Sequence, residues 1–321
     1  MTTVVTGASG FVGINLIKRL IEEGNQVRAL DYFPYNELKL KGLEWIKCDV
    51  TNRDELQAHL DSDVDAVYHL AGVVGVKNYL NDPLKVIDVN FESTRYIVES
   101  AKRHDFTLVY ASTSEIYGKN PNVPWQEDDD RVLGSTRKDR WVYSTSKALS
   151  EHLLFAESRI HGIRSIIVRF FNLYGPYQKP VNVVPKMITS LIRGEKIAIY
   201  DSGLQTRCFT YINDATDALL KLVSSKSIKN DVFNIGSNKE TSILELSKEI
   251  LTLFGLDSNY VEKIDTNATL GVNYEDINRR VPGVSKIFDM TGWRAKTELK
   301  EGIKKTVQWY KENQNWWNPL Y

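Results

Sequence analysis

Thr3-Val4-Val5-Thr6-Gly7-Ala8-Ser9-Gly10-Phe11-Val12-Gly13 opens the chain with a short apolar run that breaks into three glycines. Ile14, Leu16, Ile17, Leu20 and Ile21 follow at helical spacing, and Gly24-Asn25 ends that helix. Strand, glycine turn and helix together form the βα element that holds a pyrophosphate. Glycine lets the backbone approach phosphate oxygens closely, and the helix N-terminus supplies free N–H groups and a positive dipole end. Glycines at this spacing also make a plain tight turn, so the next strand matters. Residues 26–30 form it and end in Asp31, placed to accept hydrogen bonds from an adenosine ribose, or to serve as a strand-end turn residue. No Arg or Lys follows Asp31 closely to meet a 2′-phosphate, which points to NAD over NADP.

The same alternation continues outward. Residues 44–48 read as a strand with Asp49 at its end. Asp49 has two readings, a contact to an adenine amino group or the N-cap of a helix over 53–60. Residues 64–69 form a further strand ending in His69-Leu70-Ala71-Gly72, where small residues let the loop pass close to a cofactor. His69 reads as a packed, hydrogen-bonded histidine. A long helix is predicted over 86–103, with Val86, Val89, Ile97, Val98 and Ala101 on its apolar face, and residues 106–111 return to strand. Strands and helices alternating at these lengths imply an α/β fold built on a doubly wound parallel sheet, a Rossmann architecture.

Val109-Tyr110-Ala111-Ser112-Thr113-Ser114-Glu115-Ile116-Tyr117-Gly118 is that strand and its exit. It sets Thr113, Ser114 and Glu115 at the carboxyl edge of the sheet, where α/β proteins bind ligands. Periodicity then fails over 119–140, around the acidic run Glu127-Asp128-Asp129-Asp130, and a solvated loop is expected. The next helix carries Tyr143 and Lys147, four residues apart and therefore on one face. An ammonium beside a phenol favours the phenolate and lowers its pKa, which makes a base for a sugar hydroxyl near neutral pH.

With these motifs in place the chain resembles the extended short-chain dehydrogenase/reductase family, in its branch acting on nucleotide sugars. The resemblance rests on Thr6-Gly7-x-x-Gly10-x-x-Gly13, Asp31, His69-Leu70-Ala71-Gly72, Ser112 to Gly118, Tyr143-x-x-x-Lys147 and Arg169-Phe170-Phe171-Asn172-Leu173-Tyr174-Gly175-Pro176, which cover nearly the whole chain. It implies Tyr143 as base, Lys147 as its activator and a ribose ligand, and Thr113 as the hydroxyl that positions the substrate. It implies NAD as cofactor, held by Gly7, Gly10, Phe11, Val12, Gly13 and Asp31, by Asp49 and Val50, and by Leu70, Ala71 and Gly72. It also implies a homodimer in which helices 86–103 and 146–158 build a four-helix bundle.

In the second half, residues 165–168 form a strand with Asn172 just past its end, read as a contact to the substrate diphosphate rather than a turn residue. A helix over 183–193, with Val184 near its start, opens a smaller mixed α/β substrate-binding cap. Residues 205–212 resemble the family's nucleotide-clasping segment, with Arg207 on the diphosphate or ribose. Arginine has the fork geometry for phosphate oxygens. Asp214 is expected to cap the next helix, and residues 232–235 to form a late strand of the main sheet. Asn278-Arg279-Arg280-Val281-Pro282-Gly283 resembles the family's second phosphate-side arginine, Arg280 ahead of Arg279. The domains expected are an NAD-binding unit over 1–175, completed by about 205–236, and a cap from 176–204 and 237–321. Trp316 and Trp317 read as packing.

Enzymes of this branch share a first step, oxidation at the sugar's C4. Glu115 then decides the expectation, since simple 4-epimerases of the family tend to have a small or apolar residue there, whereas dehydratases use Glu to remove the C5 proton. The leading expectation is a UDP-hexose dehydratase that eliminates water across C5–C6. Ser114 departs from that pattern, because the known 4,6-dehydratases carry Asp there as an acid. Thr-Ser-Glu also resembles UDP-glucuronate decarboxylases, as does the segment Arg140-Trp141-x-Tyr143-Ser144-x-Ser146-Lys147. A 4-epimerase and a non-catalytic NAD-binding sensor are the remaining alternatives.

The bulk numbers agree with this class. The formal net charge of zero gives no electrostatic reason for a nucleic-acid or anionic-membrane partner. No apolar run approaches the ~20 residues of a membrane helix, and Met1-Thr2-Thr3 leads straight into a strand, so a cytoplasmic location is expected. The two cysteines, Cys48 and Cys208, lie in strand-like segments and are expected to be buried and reduced. No Cys/His cluster at ligand spacing suggests a metal.

Overall fold

The computed structural model describes residues 1–265, 277 and 279–320. Asn278, the first residue of the arginine motif above, lies outside them. The strands in chain order are β1 (Thr2–Thr6), β2 (Gln26–Asp31), β3 (Leu43–Lys47), β4 (Ala66–His69), β5 (Thr107–Thr113), β6 (Ser165–Phe170) and β7 (Leu173–Tyr174). They continue with β8 (Ile197–Tyr200), β9 (Thr206–Cys208), β10 (Thr210–Tyr211), β11 (Asp231–Ile235), β12 (Glu240–Ser242) and β13 (Val261–Ile264). The helices are α1 (Phe11–Glu22), α2 (Arg53–Gln57), α3 (Val76–Asn81), α4 (Pro83–Ile87), α5 (Ser93–Ala101) and α6 (Arg140–His161). After these come α7 (Val183–Ile192), α8 (Ile212–Ser224), α9 (Ile243–Phe254), α10 (Ser285–Thr291), α11 (Leu299–Glu312) and α12 (Gln314–Trp317).

Seven strands form one parallel sheet in the order β11-β6-β5-β4-β1-β2-β3. The order reverses beside β1, so the carboxyl ends of β1 and β4 open the crevice where such sheets take their ligands. The strands are apolar because helices cover both faces. Val4, Val5, Val67, Leu108, Val109, Ile166 and Ile167 are all 0% exposed. Each side chain buried in this way contributes roughly 1.5–3 kcal/mol relative to exposure. The expected late strand is β11, paired with β6.

A second core lies beyond the sheet edge. Met187, Ile188, Ile199, Leu246, Ile250 and Ile303 pack there with Tyr174 and Tyr310, under α7, α9 and α11. Three two-stranded pairings, β7–β10, β8–β13 and β9–β12, frame it. Trp317 is fully buried in this core and donates from its indole to the Tyr310 carbonyl at 2.8 Å.

Four local expectations change. The helix expected over 86–103 starts at Pro83, with Asp82 as its cap, and passes through a π-helical stretch, Asp88–Glu92, before α5. A π-stretch takes up an extra residue and re-aims side chains; here Asn90 is buried and its side-chain oxygen accepts the Val73 N–H at 2.9 Å. The helix expected over 53–60 covers only Arg53–Gln57 and is capped by Asn52, whose side chain accepts from the Glu55 N–H. Asp49 is not its cap: one carboxylate oxygen accepts from both the N–H and the hydroxyl of Thr51. Asp214 is inside α8, whose N-cap is Tyr211, and its carboxylate is used by the Thr297 N–H at 2.9 Å. Finally, residues 119–139 are not a simple solvated loop. Trp125 is fully buried between Tyr117 and Phe171, and Glu127 is 6% exposed, because both complete polar and aromatic contacts beneath the sheet edge.

Candidate active site

The glycine turn fits a dinucleotide. Gly7 has a φ of +66°, and a Cβ there would lie 2.6 Å from the Ala71 nitrogen. A Cβ on Gly13 would lie 2.6 Å from the carbonyl oxygens of Gly7 and Ala8. Only glycine allows β1, the turn and the His69–Gly72 loop to close this tightly. Gly10 sits at the N-cap of α1 without a side-chain cap, so the free N–H groups of Phe11 and Val12 remain for an anion. Asp31 reaches the same turn, accepting the Ser9 N–H at 2.9 Å and the Phe33 N–H at 3.0 Å. Its carboxylate is therefore fixed beside the glycines, where an adenosine ribose is expected. Asp49 and Val50 follow β3, with Val50 buried and Asp49 turned onto Thr51. Leu70 and Ala71 line the turn, and a Cβ on Gly72 would sit 3.3 Å from the Lys147 amine.

His69 is structural, as expected. Its ring is bracketed by the Thr6 hydroxyl at 2.8 Å and the Ser93 hydroxyl at 3.0 Å. Burial, with the Lys147 charge second, pushes its pKa down to about 3, so it stays neutral.

Tyr143, Lys147 and Thr113 meet at the carboxyl end of β5. The Tyr143 hydroxyl lies next to the Thr113 side chain, and its ring stacks on Tyr79 with centroids 5.1 Å apart. The lysine is arranged differently from expectation. Its ammonium donates to the Ala111 carbonyl at 2.8 Å and lies 4.6 Å over the Tyr110 ring, so it faces the β5 backbone instead of the Tyr143 phenol. Burial raises the Tyr143 pKa above its ordinary value, with the Thr113 hydrogen bond acting against it. Burial also lowers Lys147 to about 7, with Glu151 one turn on acting against it. In this arrangement burial keeps the phenol neutral.

Next to this group lies an ion cluster. Thr113 caps the short 3₁₀ turn Ser114–Tyr117 by accepting the Glu115 N–H, and the Ser144 hydroxyl donates to the Glu115 carbonyl at 2.7 Å. Ser114 is 4% exposed within that turn. One carboxylate oxygen of Glu115 meets Arg280 at 2.5 Å and the other meets Arg140 at 3.2 Å. Burial alone would raise the Glu115 pKa, but Arg280, Arg140 and the more distant Arg207 outweigh it and hold the carboxyl below its usual range. Arg140 is the site residue that sequence reading left out. It stands three residues before Tyr143 on α6, and this i, i+3 spacing was the available signal.

Arg280 also faces the second compartment. A cavity of ≈ 360 Å³ beside the second core is lined by Asn172, Val183, Lys186, Gln205, Arg207 and Arg280, among others. The Asn172 side-chain oxygen is buried and has no hydrogen-bond partner, and its backbone has a φ of +33°. A buried polar atom of this kind needs a partner, and a bound ligand supplies one. Val184 does not line this cavity: it is 2% exposed in the cap core, and its neighbour Val183 faces the space. Arg279 points the other way, pairing with Glu240 on the exposed side of β12. Among the described residues, no group of three or more His, Cys, Asp or Glu is placed to hold a metal, and no helix is long and apolar enough to cross a membrane. Cys48 and Cys208 are buried free thiols.

Residues 3–236 match the model of the NAD dependent epimerase/dehydratase family. The chain belongs to that family. The NAD-dependent epimerase/dehydratase relatives divide by reaction. A UDP-N-acetyl-alpha-D-glucosaminuronate decarboxylase of Bacillus cytotoxicus is 33% identical, over 97% of this chain and 98% of that protein. The dTDP-glucose 4,6-dehydratase DesIV of Streptomyces venezuelae, solved with NAD bound, superposes with a TM-score of 0.89 at 26% identity and covers 100% of both chains. A UDP-glucuronic acid 4-epimerase of Bacillus cereus, also with NAD, gives 0.86 at 26% identity over 97% of this chain and 99% of that one. NAD is thus the cofactor.

Proposed function

We propose that this enzyme oxidises C4 of a UDP-linked hexuronate and then releases the C5 carboxylate as carbon dioxide. The observation that carries the reading is the Arg140–Glu115–Arg280 cluster. A glutamate held below its ordinary pKa by two arginines is a weak base for a C5 proton. Two guanidinium groups at the reacting edge are suited to a substrate carboxylate, which they recognise by paired hydrogen bonds. Similarity to the Bacillus cytotoxicus decarboxylase over almost the full length of both proteins supports it.

Bound NAD⁺ would take the hydride from C4. Tyr143, oriented by Thr113, accepts the C4 hydroxyl proton, and the Lys147 charge beside β5 favours that transfer. The product is a 4-keto sugar with its carboxylate β to the ketone. Carbon–carbon cleavage then leaves its electron pair shared with the C4 oxygen, which Thr113 and Tyr143 stabilise by hydrogen bonding, and a proton taken up from water at C5 gives the 4-keto pentose. Asn172 and Arg207 would hold the diphosphate in the cavity, with Arg280 at its edge turned to the sugar carboxylate, and residues 176–204 and 237–321 would form a cap over it. Exposed Leu84, Ile87 and Leu149 lie on α4 and α6, which supports a homodimer through these helices.

A dehydratase is the second reading. Glu115 beside Thr113 is the group it needs, and the likeness to DesIV favours it. Mass spectrometry after incubation with UDP-N-acetylglucosaminuronate, UDP-glucuronate and UDP-N-acetylglucosamine separates the two. Loss of carbon dioxide from a uronate is expected; loss of water from UDP-N-acetylglucosamine with no reaction of either uronate would replace the first reading by the second.

A further inference from the structure

The Glu115–Arg280 pair joins two segments 165 positions apart, and nothing in either segment alone fixes their spacing. Asn234, the penultimate residue of β11, touches both. It is 0% exposed. Its side-chain oxygen accepts from the Tyr117 hydroxyl at 2.7 Å, and its amide nitrogen donates to the carbonyls of Trp125 at 2.9 Å and Gly283 at 3.2 Å. Its backbone N–H donates to the Glu127 carboxylate at 2.8 Å. Tyr117 lies two residues after Glu115, and Gly283 three after Arg280. The amide orientation is determined by its partners. Two carbonyls require the nitrogen, and the Tyr117 oxygen already accepts from Arg169 at 2.9 Å, so its proton goes to the Asn234 oxygen.

The surroundings stiffen this hub. Trp125 donates its N–H to the Val281 carbonyl at 2.8 Å and accepts the Gly283 N–H at 2.7 Å, so the run after Arg280 is pinned as a short ladder. Arg169 donates to the Glu127 carbonyl at 2.7 Å and pairs with Glu151 at 2.7 Å. A buried network with every partner in place permits one geometry, because any shift leaves a desolvated polar group unpaired.

We propose that Asn234 is a positioning residue that sets the distance between the Ser114–Tyr117 turn and the Arg280 segment, and so aligns the Glu115–Arg280 pair for the step after oxidation. Tyr143, Lys147 and Thr113 sit on α6 and β5, outside its direct contacts. The activity arm of the test rests on the function proposed above; the structural arm does not.

The variant Asn234→Asp keeps the oxygen toward Tyr117 and puts an acceptor against the Trp125 and Gly283 carbonyls. Tyr117→Phe is the milder change, removing one hydrogen bond and keeping the ring on Trp125. In single turnovers of the NAD-loaded enzyme with a UDP-uronate, nicotinamide reduction should keep its wild-type rate. Product release of carbon dioxide should fall about 10- to 100-fold in Asn234→Asp, the scale of a misplaced catalytic group, with the 4-keto sugar accumulating. Crystal structures of both variants should show the Arg280–Glu115 contact lengthened and Tyr143 and Thr113 unmoved. Equal loss of both steps, or an unchanged Arg280–Glu115 contact, overturns the proposal. Should the wild-type protein reduce no nicotinamide with any UDP-uronate, the substrate reading fails, and the crystal structures alone decide the role of Asn234.

Discussion

Tyr143, Lys147 and Thr113 are supplied by one strand end and one helix, whereas the cluster of Glu115, Arg140 and Arg280 joins the adjoining turn and the start of that same helix to a third segment, 165 positions from Glu115. The first group is placed by backbone ladders: β5 is paired with β4 and β6 on either side, and α6 packs along it. The second is placed by side chains, through Glu115 between two arginines and the buried Asn234 network. Chemistry that a whole family shares can be built into regular elements. Chemistry that distinguishes its members sits on a turn, the start of a helix and a cap segment, where a few substitutions re-aim it.

The strongest test of this division is Tyr143→Phe. The ring keeps its stack on Tyr79, so the fold is expected to survive, while the hydroxyl next to Thr113 that would take the C4 proton is lost. Turnover should fall by about 10²–10⁴-fold, the usual share of a general base, with no reduced nicotinamide absorbance on adding substrate. Retained oxidation would mean that the shared half of the site lies elsewhere.

Glu115→Gln addresses the other half and should leave oxidation intact while slowing product formation, because Arg140 and Arg280 lose the carboxylate that positions them. It also has a signature in stability. The folded carboxyl lies below its ordinary pKa, chiefly because two arginines overcome its burial, so the unfolded chain binds the proton more readily. The stabilisation is therefore present at neutral pH and is lost as pH falls below about 4.3 toward the folded value. Denaturant unfolding of the variant should show a deficit of about 2 kcal/mol at pH 7 that shrinks below pH ~4. A deficit independent of pH would show that the ion pairs do not carry the effect.

This contrast also decides what was legible in the sequence. The glycine turn, Asp31, Thr113 and the Tyr143–Lys147 spacing are local, and periods of 2 and 3.6 residues place them on elements without tertiary knowledge. The crevice and the parallel order follow from those elements. Arg140 lies within a motif that assigns it no role, because its partner Glu115 is 25 positions away. Asn234 looked like an interior strand residue. Its signal was a lone amide between Phe233 and Ile235, and a polar side chain in a fully buried strand needs partners. Lys147 was misdirected for a different reason. Helical spacing puts it on the face of Tyr143, but the Ala111 carbonyl and the Tyr110 ring compete for its ammonium, and their positions are tertiary facts.

The adjacent arginines Arg279 and Arg280 give the smallest effect and the sharpest comparison. Along the chain both fit a phosphate-side arginine, with Arg280 ahead of Arg279. The backbone sends one to each side: Arg280 is 11% exposed in its side chain and reaches Glu115 and the cavity, whereas Arg279 is 57% exposed and reaches Glu240. An exposed pair is screened by solvent and contributes little. Arg279→Ala should therefore leave UDP affinity and turnover within about twofold of wild type, as expected when only a surface ion pair is removed. Titration calorimetry with UDP, alongside steady-state rates, checks both quantities. A large loss of UDP affinity would place Arg279 in the nucleotide site and mean that the Glu240 pairing opens when ligand binds, making the cap less fixed than the Asn234 network requires.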